Sequence, residues 1–312
     1  MARIALIIGA LAAILYPIPL QLQGTTYYQT VGFLVLLTAM LGVGWNVIGG
    51  WAGQFDFGPQ VFFAVGAYTS ALLYVKLGVD AWLGLPVAAA VAALICAVLT
   101  YPLTRLRGHY FAISTVAIWM IAQPIGATWD YIGAAQGLFI PVKPRSGVVT
   151  SALSLQFAGR TKALGYYFRA IRDDQEAAEG IGIDSRLYKV LARSITAAVF
   201  AAAGVLYAFW ALSVFPEQVL ELNWSTLPIM ATVVGGIGRL WGPVLGAVIL
   251  IPIAQIMSTT LGTGPLAGRG IDLIVYGLII VLIAAFRPTG LLSLPWGRWF
   301  RRRRPATPAP AP

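Results

Sequence analysis

Runs of roughly 20 apolar residues, interrupted by one dense charged island, constrain this chain more than any other feature. The island runs from Arg169 to Lys189 and holds Asp173, Asp174, Glu176, Glu179 and Asp184, five of the eleven acidic residues. Hydrocarbon cannot solvate such a segment, whereas an apolar helix of about 20 residues crosses a ~30 Å hydrocarbon core. The island therefore projects into water or onto a protein partner, and it divides a membrane-embedded chain in two. Composition agrees: 59% of residues are hydrophobic, 10% are charged and mean hydropathy is +0.80, against about 25% charged residues in soluble domains.

The apolar runs are Ile4 to Leu20, Thr30 to Ile48, Val61 to Leu77, Trp82 to Leu103, Tyr110 to Trp129, Leu191 to Leu212, Leu227 to Val234, Val244 to Thr260 and Ile271 to Phe286. They predict an all-α, polytopic transmembrane bundle of eight to nine segments over residues 1–300. The first run resembles a signal peptide, but Gln21-Leu-Gln-Gly-Thr-Thr offers no small-x-small cleavage site, so a retained helix is expected. Leu227 to Val234 is too short to span unless it extends from about Asn223 through the following glycines, which predicts a tilted or broken passage. Residues 301–312 are a basic, then Pro/Ala-rich tail, expected to be extended and disordered.

The net charge of +10 is placed for membrane topology rather than for nucleic acid, because the basic residues flank apolar runs. By the positive-inside rule Arg3, Arg105, Arg107, the island, Arg239 and Arg298 to Arg304 face the cytoplasm, as do both termini. The crossings count correctly within each half. Between Arg107 and Arg169 they do not: Tyr110 to Trp129 supplies one crossing where two are needed. Either that helix is re-entrant, or one crossing is missing near 155–161.

Chemistry-bearing motifs are few. Cys96 reads as a small buried hydrophobe and His109 as an interfacial side chain, and no metal-spaced or catalytic cluster accompanies them, so neither an intrinsic enzyme nor a bound cofactor is expected. Gly53, Gln54, Asp56, Gly58 and Gly66 lie where Gly-Pro breaks a helix, and together with Gly235 and Gly236 they are candidates for a translocation path or for close helix packing. Asp56 sits so near the cytoplasmic boundary that a solvated turn is the simpler reading. Gly235-Gly-Ile-Gly has no preceding strand and no following Lys-Ser/Thr, so it is no phosphate loop. The island predicts a surface helix from about Phe168 to Gly180, with Asp184 starting the next helix.

These motifs occur in an order that resembles a known family: Gly53-Gln-x-x-x-Gly, Leu106-Arg-Gly-His-Tyr-Phe-Ala-Ile-Ser-Thr, Ala170-Ile-Arg-Asp-Asp-Gln-Glu-Ala-Ala-Glu-Gly-Ile-Gly-Ile, Gly235-Gly-Ile-Gly-x-x-x-Gly-Pro-x-x-Gly-Ala and Arg287-Pro-x-Gly-Leu. Together they are similar to the LivM-type permeases of branched-chain amino acid ABC importers. The resemblance implies a coupling segment over about 165–189, with Arg172, Glu176, Ala177, Ala178 and Gly182 docking on an ATPase subunit. It also implies a homologous partner permease, cytoplasmic ATPase subunits that bind the ATP, an extracytoplasmic substrate-binding protein, and a place in the bacterial inner membrane. The substrates implied are branched-chain or related small amino acids; a urea or short-amide permease, a transport-inactive paralogue and a secondary transporter or channel are the alternatives. The last is disfavoured because no ionisable residue is expected mid-span. Two departures from the family stand out: Asp56 occupies a position that usually holds a small polar residue, and the helix usually found before Thr161-Lys-Ala-Leu-Gly-Tyr-Tyr is lacking.

Overall fold

A computed structural model describes residues 26–106, 108–141, 162–262, 277–278 and 290–291. The helices are α1 (Thr26–Trp45), α2 (Gln60–Leu77), α3 (Ala81–Leu103), α4 (His109–Thr128), α5 (Lys162–Asp173), α6 (Gln175–Gly180), α7 (Ser185–Ala211), α8 (Pro216–Val219), α9 (Asn223–Gly235) and α10 (Gly242–Gly262). A π-helical turn, Asn46–Trp51, follows α1, and two short strands, β1 (Leu138–Phe139) and β2 (Ser213–Val214), pair antiparallel. The helices at Gln29–Trp51, Gln60–Leu77, Ala81–Leu103, His109–Thr128 and Ser185–Ala211 are each long and apolar enough to cross a membrane. The expected runs Ile4 to Leu20 and Ile271 to Phe286 and the tail lie essentially outside the described residues, as does the interval 155–161.

Helix α7 is the central member and packs against α1, α2 and α3. It runs alongside α2 in the same direction: Asp56 just before α2 meets Arg193, Gly66 lies against Ala201, and Tyr74 meets Phe209 edge-on. The contact at Gly66 is backbone to backbone, so any side chain there would push the two helices apart. Helix α1 runs the opposite way, with Gly44 accepting a hydrogen bond from Thr196 and Phe33 stacked on Trp210.

The ends of these helices define two faces. On the face away from the island, the end of α2, the 129–141 connection and the end of α7 meet. Lys76 reaches the Tyr131 carbonyl and ring, and β1 aligns Leu138 with Val214 and Phe139 with Ser213. Helix α4, of 20 residues and about 30 Å, therefore delivers the chain to the face opposite the island. It runs the whole distance between the two faces without turning back. Ile140, bonded to Leu212, lies at the far face, and Phe168, packed on Tyr188, lies at the island face.

Two passages are broken part-way through. After the π-helical turn, residues 52–59 re-enter as non-helical backbone before α2 starts. The second passage enters from the far face through β2 and α8 and continues as α9, whose 13 residues reach about 20 Å. The breaks meet at depth, where the Ser225 hydroxyl donates to the Phe57 carbonyl and Phe63 stacks on Trp224 at 4.6 Å. In a Cys96→Ser background, cysteines introduced at Tyr131 and at Asp173 are expected to react with a membrane-impermeant maleimide from opposite sides. Labelling of both from one side would contradict the assignment of faces.

Candidate functional site

The island folds as two short helices rather than the single expected one. Asp174 adopts extended backbone, and its carboxylate accepts the N–H groups of Glu176 at 2.9 Å and Ala177 at 3.1 Å, so it caps α6 and ends α5. Asp184 caps α7 in the same way, through Arg186 and Leu187, as expected. Between them Gly182 takes a φ of +89°, and Ile183 closes back onto the Ala178 carbonyl. Glu176, Ala177 and Gly182 are exposed, but Ala178 is only 3% exposed. Its methyl seats α6 on the protein and is not part of an outward docking face.

A polar cluster fastens α6 to α7. Gln175 donates to Glu179 at 2.8 Å and to Ser185 at 3.1 Å, Ser185 and Glu179 are hydrogen-bonded, and Lys189 donates to the Gln175 side-chain carbonyl at 2.7 Å. Helix α5 is fastened differently: Phe168 and Ile171 bury their side chains, and Arg172 lies over the π-helical turn, donating to the Gly50 carbonyl at 2.7 Å. Gly53 has a φ of +69°, and a Cβ on it would come within 2.6 Å of the Arg172 stem, so only glycine fits under that arginine.

The loop after α9 joins the same junction. Asn46 donates to the Arg239 carbonyl at 3.0 Å and accepts from the Gly238 N–H at 2.8 Å, while the Trp51 indole donates to the Gly238 carbonyl at 3.1 Å. Gly235 and Gly236 pack backbone to backbone on Gly242, and Gly290 lies against Gly236. Four separated motifs, around Gly53, Arg172, Gly235 and Gly290, thus converge at one place.

Deeper, about 12 Å along α7 from Ser185, lies a feature that sequence reasoning missed. Arg193 Nε donates to Asp56 Oδ2 at 2.7 Å, and neither side chain is exposed. Arg193 Nη2 reaches Asp56 Oδ1 at 3.4 Å and Nη1 donates to Thr100 at 3.1 Å, while Asp56 Oδ1 also accepts the Gly58 N–H at 2.9 Å. The rings of Phe62 and Phe111 flank the guanidinium at 5.6 and 5.5 Å. The expectation of a solvated Asp56 at the boundary is corrected, and so is that of spans free of ionisable groups. The re-entrant backbone carries Asp56 inward to a cation on α7, and the pair is retained because its hydrogen bonds are nearly complete.

Other atoms of the re-entrant segment are held from all sides. The Trp45 indole donates to the Asp56 carbonyl at 2.8 Å, and the Phe57 N–H donates to Thr115 at 3.1 Å. Gly58 lies against the Thr115 backbone. The Gln54 N–H donates to the Ile48 carbonyl, but its side-chain oxygen is buried without a partner among the described residues. No group of three His, Cys, Asp or Glu suited to a metal occurs among the described residues.

The family described as branched-chain amino acid transport system / permease component matches residues 27–138 and 146–284. The high-affinity branched-chain amino acid transport system permease protein LivM of Escherichia coli (strain K12) is 28% identical over 304 residues, covering 85% of this chain and 69% of that protein. The protein of the same description from Salmonella typhimurium is 27% identical with the same coverage. A probable branched-chain amino acid transport permease protein LivM of Methanocaldococcus jannaschii is 24% identical over 135 residues, 41% of this chain and 39% of that protein. No solved structure matches significantly.

Removing one member of the ion pair strands the other charge. Asp56→Ala or Arg193→Ala is expected to cost about 3–5 kcal/mol, whereas the double change Asp56→Ser with Arg193→Met restores stability to within ~1 kcal/mol. Melting of the detergent-purified variants checks this, and equal destabilisation by the single and double changes would refute it.

Proposed function

Because the chain belongs to the branched-chain amino acid transport permease family, we propose that it forms one half of the membrane path of an ATP-driven importer for branched-chain or related small amino acids. The names of the relatives support this substrate class. A second permease of similar fold completes the path, cytoplasmic ATPase subunits bind and hydrolyse ATP, and an extracytoplasmic binding protein delivers substrate. The chain itself carries no catalytic step. The island face is cytoplasmic and the membrane is a bacterial inner membrane.

The observation that carries this reading is the connection of the surface helices to both broken passages. ATPase closure pulls on α5 and α6 through Glu176, Ala177 and the turn at Gly182. Arg172 transmits that displacement to the π-helical turn, whose Asn46 and Trp51 hold the loop after α9. The polar cluster of Gln175, Glu179, Ser185 and Lys189 transmits it to α7. Such an arrangement converts a rigid-body motion outside the membrane into a rocking of packed helices, the repertoire of alternating access.

Glu176→Lys or Gly182→Leu is expected to abolish ATP-driven uptake while membrane insertion and partner assembly persist. Uptake of labelled leucine by vesicles containing the whole complex checks this, and wild-type rates in both variants would refute the docking role.

A further inference from the structure

Gln60, the first residue of α2, is wholly buried, and neither its side-chain nitrogen nor its side-chain oxygen meets a hydrogen-bonding partner among the described residues. A buried amide left in this condition costs about 1–3 kcal/mol per unmet group, so such a group calls for an explanation. Its location supplies one. Gln60 stands where the two broken passages meet: Phe57, three residues earlier, accepts from Ser225, and Phe63, one helical turn later, stacks on Trp224. Discontinuous helices meeting at mid-depth are where transporters place their substrates.

From this point a ladder of aromatic rings leads to the far face. Phe63 stacks on Trp224 at 4.6 Å, Trp224 meets Tyr207 edge-on at 4.8 Å, Tyr207 lies 6.0 Å from Trp210, and Trp210 stacks on Phe33 at 4.8 Å. Phe63 is buried, Trp224 and Tyr207 are half-buried and Trp210 is 39% exposed, while Phe33 beyond it is buried again. The rings come from α1, α2, α7 and α9, so movement of α7 or α9 separates them. An aromatic lane ending at an unsatisfied amide suits a small solute that has an apolar side chain and a charged head, the chemistry of an aliphatic amino acid.

We propose that Gln60 is a substrate-contacting residue, its amide receiving the ammonium or carboxylate head of an aliphatic amino acid that enters along the Trp210–Tyr207–Trp224–Phe63 ladder. This deepens the importer reading above and rests on it. The ion pair four residues earlier is not consumed by the substrate: Asp56 and Arg193 already satisfy each other and position the segment that carries Gln60.

The test uses the whole complex, with partner permease, ATPase subunits and binding protein, in vesicles supplied with labelled leucine. Gln60→Leu is expected to lower uptake about tenfold or more, as loss of a hydrogen bond to a charged group implies. Its melting temperature stays equal or higher, because an unsatisfied polar group has been removed, and ATPase stimulation by the binding protein persists. A photoactivatable leucine analogue is expected to label the peptides holding Phe63 and Trp224 in wild type, less so in Gln60→Leu. Wild-type uptake by Gln60→Leu would overturn the proposal, the amide then facing only trapped water. Loss of uptake together with lowered melting and lost ATPase stimulation would overturn it too, in favour of a structural role. If the wild-type complex shows no ATP-driven leucine uptake, the importer reading fails separately. The photolabel on the permease in vesicles then still decides: label at Phe63 and Trp224 supports the site, and its absence rejects it.

Discussion

The pairing of Asp56 with Arg193 is the constraint from which the rest of the structure follows. A carboxylate in apolar surroundings is tolerable only beside a cation whose own donors are used, and here Thr100, the Gly58 N–H and two flanking rings complete the set. The pair requires backbone to enter the membrane domain without helical hydrogen bonds, since residues 52–59 carry Asp56 inward. That backbone in turn requires donors and acceptors from elsewhere, which Trp45, Thr115 and Ser225 supply. One ion pair thereby fixes the mutual placement of α1, α2, α3, α4, α7 and α9.

Most helices were legible because an apolar run leaves few alternatives. Val61 to Leu77 and Trp82 to Leu103 became Gln60–Leu77 and Ala81–Leu103, and Leu227 to Val234 became the broken passage that its length required. The capping role of Asp184 was readable because Ser, Asp and Asn before an apolar run have one favourable use. Asp174 was not recognised as a break: alanines on both sides favour helix, and only the cap geometry reveals which side of the acid the helix starts. Arg193 was missed for a different reason. Its partner lies 137 residues away in sequence, and a cation near a helix end reads by default as a topological flank. A signal was available, because Arg193 stands eight residues inside an apolar helix and one turn beyond Lys189, too deep for a simple flank.

The glycine motifs show the same limit. Their presence was plain in sequence, but their purpose was relational: Gly53 makes room for Arg172, Gly66 for Ala201, and Gly235 for Gly242. A residue whose role is to be absent from another's space can be assigned only when both are placed. The motifs around Gly53, Arg172, Gly235 and Gly290 are separate in sequence, yet each is one wall of a single junction.

Helix α4 touches the protein at few points, burying only Phe111, Thr115 and Gly126, yet it holds both broken passages: Thr115 receives the Phe57 N–H, and the Trp119 indole donates to the Leu220 carbonyl at 2.6 Å. Its outer side, with Tyr110, Ile113, Met120 and Ile121, remains exposed. It acts as a splint laid across two fractures, with its far end clasped through β1 and β2. A helix of this length adjusts to bilayer thickness by tilting, and any tilt of this one is felt at both fractures together. Through Thr115 and Trp119, the lie of this single helix thereby links two breaks that are far apart in sequence.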